Sequence, residues 1–211
     1  MLKKLREPFS GLSHLVGAII SIPVTIALAV YAYTASSPVF AFVVFGISLL
    51  LLYSASAVYH LIPGSEKVKA ALRKVDHSMI FVLIAGTYTP VALGPMRGAW
   101  GYTLFGVIWG IAIAGIVMKI FWLGAPRWLS TSIYVLMGWT ALFFFVPLVR
   151  TVSLAGVILV ITGGVLYTLG AVIYGTKRPK MNLKKFGYHE LFHIFVLGGS
   201  AAHIAFMFLI I

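Results

Sequence analysis

The chain has 211 residues, of which 61% are hydrophobic and only 9% are charged. A soluble domain needs far more polar surface, so this composition excludes one and indicates an integral membrane protein. The formal net charge of +12 would suggest a nucleic-acid partner in a soluble protein, but here the basic residues fall in short loops between apolar runs. We therefore predict no nucleic-acid binding and a single membrane domain over residues 1–211.

Seven apolar runs follow one another along the chain. Each is close to the roughly 20 residues that a helix needs to cross a bilayer. We predict an all-α integral membrane protein, a seven-transmembrane helix bundle with spans at 12–33, 38–61, 77–95, 100–121, 129–148, 152–174 and 187–210. A short basic helix at the membrane surface is predicted between spans two and three, at residues 64–74.

The basic residues are unequally divided between the two sides of the membrane. The N-terminus and the loops after spans two, four and six carry 14 of the 16 Lys and Arg residues, and only Arg97 and Arg150 fall on the other side. The positive-inside rule then predicts a cytoplasmic N-terminus and a C-terminus outside. We expect a multi-pass protein of the cell (plasma or inner) membrane.

Ionisable and hydroxyl side chains gather at the ends of the spans that are predicted to be cytoplasmic. Span two ends with Ser56 and His60, Asp76 precedes span three, and span seven begins with His189 and His193. His189 and His193 are four residues apart, so their imidazoles project from one helix face, one turn apart, as a shared metal ion requires. Ser56 lies one turn from His60 on the same face.

These residues predict a zinc site near the cytoplasmic face. His60, His189 and His193 would supply three neutral imidazoles and leave the fourth tetrahedral position open, as in catalytic zinc sites. Zinc lowers the pKa of a water ligand to about 7, which provides a nucleophile for an amide or ester carbonyl at neutral pH. Asp76 would bind or deprotonate that water, and Ser56 would orient the water or an oxyanion. The chain contains no cysteine, so thiolate ligands are excluded.

Two other interpretations of these residues stay open. The histidines are also compatible with ordinary membrane-interface positions, with Asp76 capping the third helix. Residues 189–193 also satisfy the His-Glu-x-x-His motif of metalloproteases, with Glu190 as general base. That five-residue match is weak, and the longer metzincin pattern fails because Val196 and Gly199 stand where it needs Gly and His.

Several motifs together resemble those of the hemolysin III proteins, the prokaryotic branch of the progestin and adiponectin receptor (PAQR) family. In chain order they are residues 7–14 (Glu-Pro-Phe-Ser-Gly-Leu-Ser-His), 56–60 (Ser-Ala-Val-Tyr-His), 74–81, 85–90 and 189–203. The resemblance implies zinc held by His60, His189 and His193, with Asp76 and Ser56 beside it. In the first motif the sequence departs from the family pattern at Arg6 and Ser10, so we assign no role to Glu7 or His14.

The resemblance implies membrane lipids as partners and a zinc-dependent hydrolase of lipid amide or ester bonds, similar to the alkaline ceramidases of the same superfamily. The alternative is a non-enzymatic receptor, a membrane-homeostasis regulator or a membrane-lytic protein, in which zinc only ties helices together. A conducting pore needs polar groups at several depths, whereas ionisable residues in mid-membrane are almost limited to His203. We therefore expect any lysis to follow from a change in lipid.

Overall fold

The computed structural model describes residues 5–122, 124–180 and 186–211, without the side chain of Arg127. The described residues form the helices α1 (Pro8–Thr34), α2 (Val39–Leu61), α3 (Glu66–Leu93), α4 (Ala99–Phe121), α5 (Arg127–Gly138), α6 (Phe145–Thr151), α7 (Leu154–Thr176) and α8 (Tyr188–Ile210). A 3₁₀ helix (Trp139–Phe144) joins α5 directly to α6. Counting this continuous segment once, seven helical rods follow the order of the seven predicted spans.

Six of these rods, within the described residues, are long and apolar enough to cross a membrane: α1, α2, α4, Trp128–Thr151, α7 and α8. The helix α3 is not among them, because polar residues such as Asp76, His77 and Thr87 dilute its apolar stretch. The prediction of a helical, multi-pass membrane protein is confirmed. The seventh span and the orientation of the termini stay predictions, and Lys3, Lys4, Lys184 and Lys185, which contribute to the charge asymmetry, lie outside the described residues.

Hydrogen bonds between helix ends show that successive rods run in opposite directions. The backbone N–H of Glu7, just before α1, donates to the carbonyl of His60 near the end of α2, at 3.1 Å. Lys74 Nζ near the start of α3 donates to the carbonyl of Ile120 at the end of α4, at 2.8 Å. Ser10 of α1 donates to Glu190 of α8. With the short connection from the end of α2 at Leu61 to the start of α3 at Glu66, these contacts bring the starts of α1, α3 and α8 and the ends of α2 and α4 to one end of the bundle, which we call the histidine end.

The start of α3 differs from the prediction. The structure has one continuous helix from Glu66, where we predicted a separate surface helix at 64–74 followed by a span from residue 77. The helix is capped by Ser65, whose Oγ accepts a hydrogen bond from the N–H of Val68 at 3.4 Å. Asp76 therefore lies well inside α3, and its interpretation as a helix cap is wrong.

Packing of α2 and α8 determines where the histidines lie. The helix α2 packs between α1 and α3, and half of its most apolar stretch is buried, the largest share among the six candidate spans. The helix α8 packs against α7 and α1. Both helices carry fully buried apolar residues, including Phe42, Phe45 and Phe206. Because α1 packs against both helices, the end of α2 and the start of α8 lie next to each other.

Candidate metal centre

His60, His189 and His193 meet at the histidine end of the bundle. Each offers one ring nitrogen, and these three atoms all lie within 4.8 Å of one another. Nε2 of His189 is 3.4 Å from Nε2 of His60 and 3.2 Å from Nε2 of His193. His60 belongs to α2 and the other two histidines to the first turns of α8. The structure thus brings together the three residues that the sequence predicts as metal ligands.

A carboxylate orients the ring of His60. Nδ1 of His60 hydrogen bonds Oε2 of Glu7, the residue that precedes α1. This hydrogen bond lowers the pKa of the Glu7 carboxyl, so the group is ionised at neutral pH and can only accept. We therefore assign the imidazole proton to Nδ1, which leaves the lone pair of Nε2 directed at the other two histidines. A carboxylate on the outer nitrogen is the usual partner of a metal-bound histidine.

The three nitrogens fit a zinc ion. Tetrahedral zinc with Zn–N distances of about 2.0–2.1 Å places neighbouring ligand nitrogens about 3.3–3.4 Å apart. Two of the three separations, 3.4 and 3.2 Å, agree with that spacing, and all three lie within 4.8 Å. His60 and His193 are 2% and 1% exposed, so their rings are enclosed by the surrounding helices. A set of three imidazoles suits zinc better than magnesium or calcium, which prefer oxygen ligands.

A fourth imidazole, that of His14, lies against this cluster. Its ring centroid is 3.9 Å from that of His193, and the side chain is 3% exposed. Neither ring nitrogen of His14 has a hydrogen-bond partner among the described residues. Leaving a buried polar ring unsatisfied is costly, so a water or ligand in the centre that bonds His14 would be stabilised there. Glu7, the residue just before α1, and His14, in its second turn, therefore both reach the cluster from the N-terminal end of α1.

Asp76 and Ser56 lie beside the histidines. The Asp76 carboxyl of α3 interacts with the Ser56 hydroxyl of α2 and with the His60 imidazole. The two side chains are 7% and 2% exposed, and both line the same cavity as the three histidines. The structure therefore places the predicted base and the predicted hydroxyl next to the candidate metal centre, while their catalytic roles stay predictions.

Glu190 holds the start of α8 in place. Its Oε2 accepts a hydrogen bond from the backbone N–H of Gly187 at 2.9 Å, and its Oε1 accepts one from Ser10 Oγ at 3.2 Å. Both carboxylate oxygens are thus engaged: Oε2 caps the start of α8, and Oε1 joins α8 to α1. This arrangement favours a structural role for Glu190 over the general base of a His-Glu-x-x-His protease.

The histidines line one end of a cavity of about 960 Å³ that extends along the inside of the bundle. Its size is at the upper end of the roughly 300–1,000 Å³ that is typical of ligand pockets. Beyond the histidine end its wall is largely apolar and includes Leu83, Val91, Leu104, Phe144 and Leu148. The cavity can therefore accommodate an apolar chain with a polar group at the histidines.

The sequence matches known proteins over almost its whole length. The family described as Haemolysin-III related matches residues 2–204. The chain belongs to this family. Among its haemolysin III relatives, a hemolysin-3 homolog of Bacillus subtilis (strain 168) is 41% identical over 198 residues, covering 93% of this chain and 90% of the relative. Hemolysin-3 of Bacillus cereus is 40% identical over 197 residues, covering 92% of this chain and 87% of the relative. The predicted resemblance is confirmed.

Two residues of this haemolysin III chain, Glu7 and His14, were not predicted from the sequence to take part in the site. The structure places both at the centre, one on His60 and the other on His193. Their spacing of seven residues, about two helical turns, was a signal that could have indicated a shared surface. By contrast, His203 lies further along α8, where its Nδ1 donates to the carbonyl of Gly199 at 2.9 Å.

Replacing Glu7 with glutamine is expected to weaken zinc binding by about 10- to 100-fold, the usual effect of losing the outer partner of a ligand histidine. The amide can still accept the Nδ1 proton of His60, but it lacks the charge that makes the ring a better donor. The affinity is measured by competition with a chelator in detergent. Glu66→Gln is the control, because Glu66 is an exposed acid at the same end that pairs with Lys69 and not with His60. Equal affinity in wild type and Glu7→Gln would refute the orienting role.

Proposed function

We propose that this protein is a zinc-dependent hydrolase that cleaves amide or ester bonds of membrane lipids. The observation that carries the proposal is the spacing of the three Nε2 atoms of His60, His189 and His193 at one end of a large, mostly apolar cavity. Zinc bound there would polarise a carbonyl and provide a nucleophile from water at neutral pH.

The chain's own residues then have distinct tasks. His60, His189 and His193 hold the ion, and Glu7 keeps the His60 ring in the required tautomer. Asp76 accepts the proton of the attacking water and passes it to the leaving amine or alcohol, as a general base and then acid. The Ser56 hydroxyl donates its hydrogen bond to Asp76, and its oxygen accepts one from the attacking water, which orients that water.

We further propose seven membrane spans, with α3 as the third, and a cytoplasmic N-terminus. The support is the charge distribution along the sequence, in which 14 of the 16 basic residues fall on one side. The histidine end then faces the cytoplasm. A substrate in the inner leaflet would place its polar bond at the histidines and its acyl chain in the apolar part of the cavity.

The names of the two Bacillus relatives, both called hemolysin-3 or its homolog, favour membrane lysis as a second candidate function. In our proposal lysis follows from cleavage of lipids and not from a pore. Leakage from vesicles made of ether lipids, which have no carboxylic ester or amide bond to cleave, would favour direct lysis instead.

The function is tested with purified, zinc-loaded protein and a panel of lipid amides and esters in mixed micelles. We expect mass spectrometry to detect a released fatty acid that disappears on chelation and returns when zinc is added. Glu190→Gln is expected to retain this activity, whereas a protease mechanism requires its loss. Absence of turnover across the panel in folded, zinc-loaded protein would argue for the receptor or structural role.

A further inference from the structure

A second polar cluster lies in the wall of the same cavity, on different helices. Lys119, in the last turn of α4, is only 2% exposed, and its ammonium donates a hydrogen bond to Ser130 Oγ of α5. Both side chains form part of the cavity wall. The cluster thus joins α4 to α5, whereas the candidate metal centre joins α1, α2, α3 and α8.

The protein itself provides no counter-ion for Lys119. The whole chain has four acidic residues, and all of them lie within the described residues: Glu7, Glu66, Asp76 and Glu190. Among the described side chains, the ion pairs that they form are with Arg6, His60 and Lys69, and none is with Lys119. A buried ammonium without an anion is strongly unfavourable. The chain's own acids cannot offset that cost.

A second cation faces the same part of the cavity. Arg73 of α3 lines the cavity. Its neighbour Lys74 donates to the carbonyl of Ile120, the residue after Lys119, so this part of α3 lies beside the end of α4. The guanidinium stays ionised under all physiological conditions. A lysine in the last turn of a helix can also bond the free carbonyls at the helix end, but among the described residues Lys119 does not do so. Its ammonium is directed at Ser130, and the carbonyl of Ile120 already accepts from Lys74.

We propose that Lys119, Arg73 and Ser130 bind the phosphate group of a ligand, and that the ligand of this cavity is therefore a phosphate-bearing lipid. Two cations and a hydroxyl supply the charge and the donors that phosphate oxygens accept. The cluster lies near the end of α4 and the start of α5, which in the proposed topology is the level of the lipid headgroups. The inference rests on the proposed function in one respect only, since it names the substrate class for that cavity.

The arrangement of α3 relates this phosphate site to the metal centre. Arg73 and Asp76 are three residues apart and both line the cavity, so they share a helix face about 5 Å apart along the axis. Asp76 in turn lies beside Ser56 and His60. A phosphate held by Arg73 and Lys119 would place the neighbouring ester or amide bond of the same lipid towards the histidines.

The test compares the binding of dioleoyl phosphatidylglycerol with that of dioleoylglycerol, which has the same chains but no phosphate. Native mass spectrometry of the full chain in detergent gives the affinity for each lipid. We expect the wild type to prefer phosphatidylglycerol, and Lys119→Met to lose about tenfold or more of that affinity, as for a hydrogen bond between charged groups. Arg73→Gln, at an exposed position that tolerates substitution, is a second variant with the same expected direction and is informative should Lys119→Met fail to fold.

Lys74→Met is the matched control, because it removes one positive charge beside Arg73 from a residue outside the cavity wall. Equal losses in Lys74→Met and Lys119→Met, or equal affinity of the wild type for the two lipids, would overturn the proposal.

A second experiment adds inorganic phosphate as a competitor. Competition shows that the site accepts the free ion as well as the lipid phosphate. Failure of inorganic phosphate to compete, with Lys119-dependent lipid binding, restricts the site to the lipid phosphate. Zinc content and hydrolysis are measured on the same samples, so loss of the phosphate site and failure of the hydrolase proposal give different results.

Discussion

His60→Ala, and separately the double variant His189→Ala/His193→Ala, are expected to abolish stoichiometric zinc binding. Wild type should carry about one zinc per chain, since the three imidazoles form a single site. His60→Ala removes one of the three ligand nitrogens and the double variant removes two. These nitrogens are 3.2 and 3.4 Å from their neighbours in the cluster. The measurement is elemental mass spectrometry of protein purified in detergent without chelators.

The control for this experiment is His77→Ala. His77 lies on α3 and lines the same cavity, but it is not part of the cluster of three nitrogens. This variant is expected to keep its zinc. Retention of zinc in either His60→Ala or the double variant would show that α2 and α8 do not share the ion. Folded wild type without zinc would refute the metal centre itself.

The same variants provide a stability readout. An ion that binds only the folded protein stabilises it by RT ln(1 + [L]/Kd), which is about 4 kcal/mol when zinc is at a thousand times its Kd. Chelation should therefore lower the unfolding temperature of wild type. It should leave His60→Ala unchanged, because that variant has no ion to lose.

Much of the fold followed from the sequence because the membrane imposes simple rules on a chain. Long apolar runs predict helices, and the structure has a helical rod at each predicted position. The prediction is wrong at the start of α3, where polar and basic residues after Ser65 were interpreted as a separate surface helix. One helix begins after the Ser65 cap and runs through that region. Capping and helix propensity do not depend on hydrophobicity, so the apolar pattern did not show where this helix begins.

The part of the candidate site that depends only on helix geometry could be predicted from the sequence. The spacing of His189 and His193 shows a shared face, and alternating spans bring His60 to the same end. The contact of Glu7 with His60 could not be predicted in this way, because it depends on how the segment before α1 turns against the end of α2. Lys119 was also missed, since a lysine at the end of a span normally reaches the lipid headgroups. Only the packing of α5 shows that it is buried.

Asp76→Asn is expected to retain zinc and to lower kcat by about 10²- to 10⁴-fold, the usual contribution of a general base. Asparagine has nearly the same shape, so the buried contact with Ser56 and the packing of α3 against α2 are preserved. It cannot accept a proton from water at neutral pH. KM should change little, since Asp76 acts on the water and not on the lipid. Turnover and zinc content are measured on the same preparation.

Ser78→Ala is the matched control for Asp76→Asn. Ser78 is also a buried polar residue of α3, two positions further along, but it does not line the cavity. We expect wild-type turnover in this variant. Unchanged turnover in Asp76→Asn would remove Asp76 as the base while leaving the zinc site intact. Loss of zinc together with turnover would instead make Asp76 a fourth ligand, and the open coordination position that hydrolysis requires would then no longer exist.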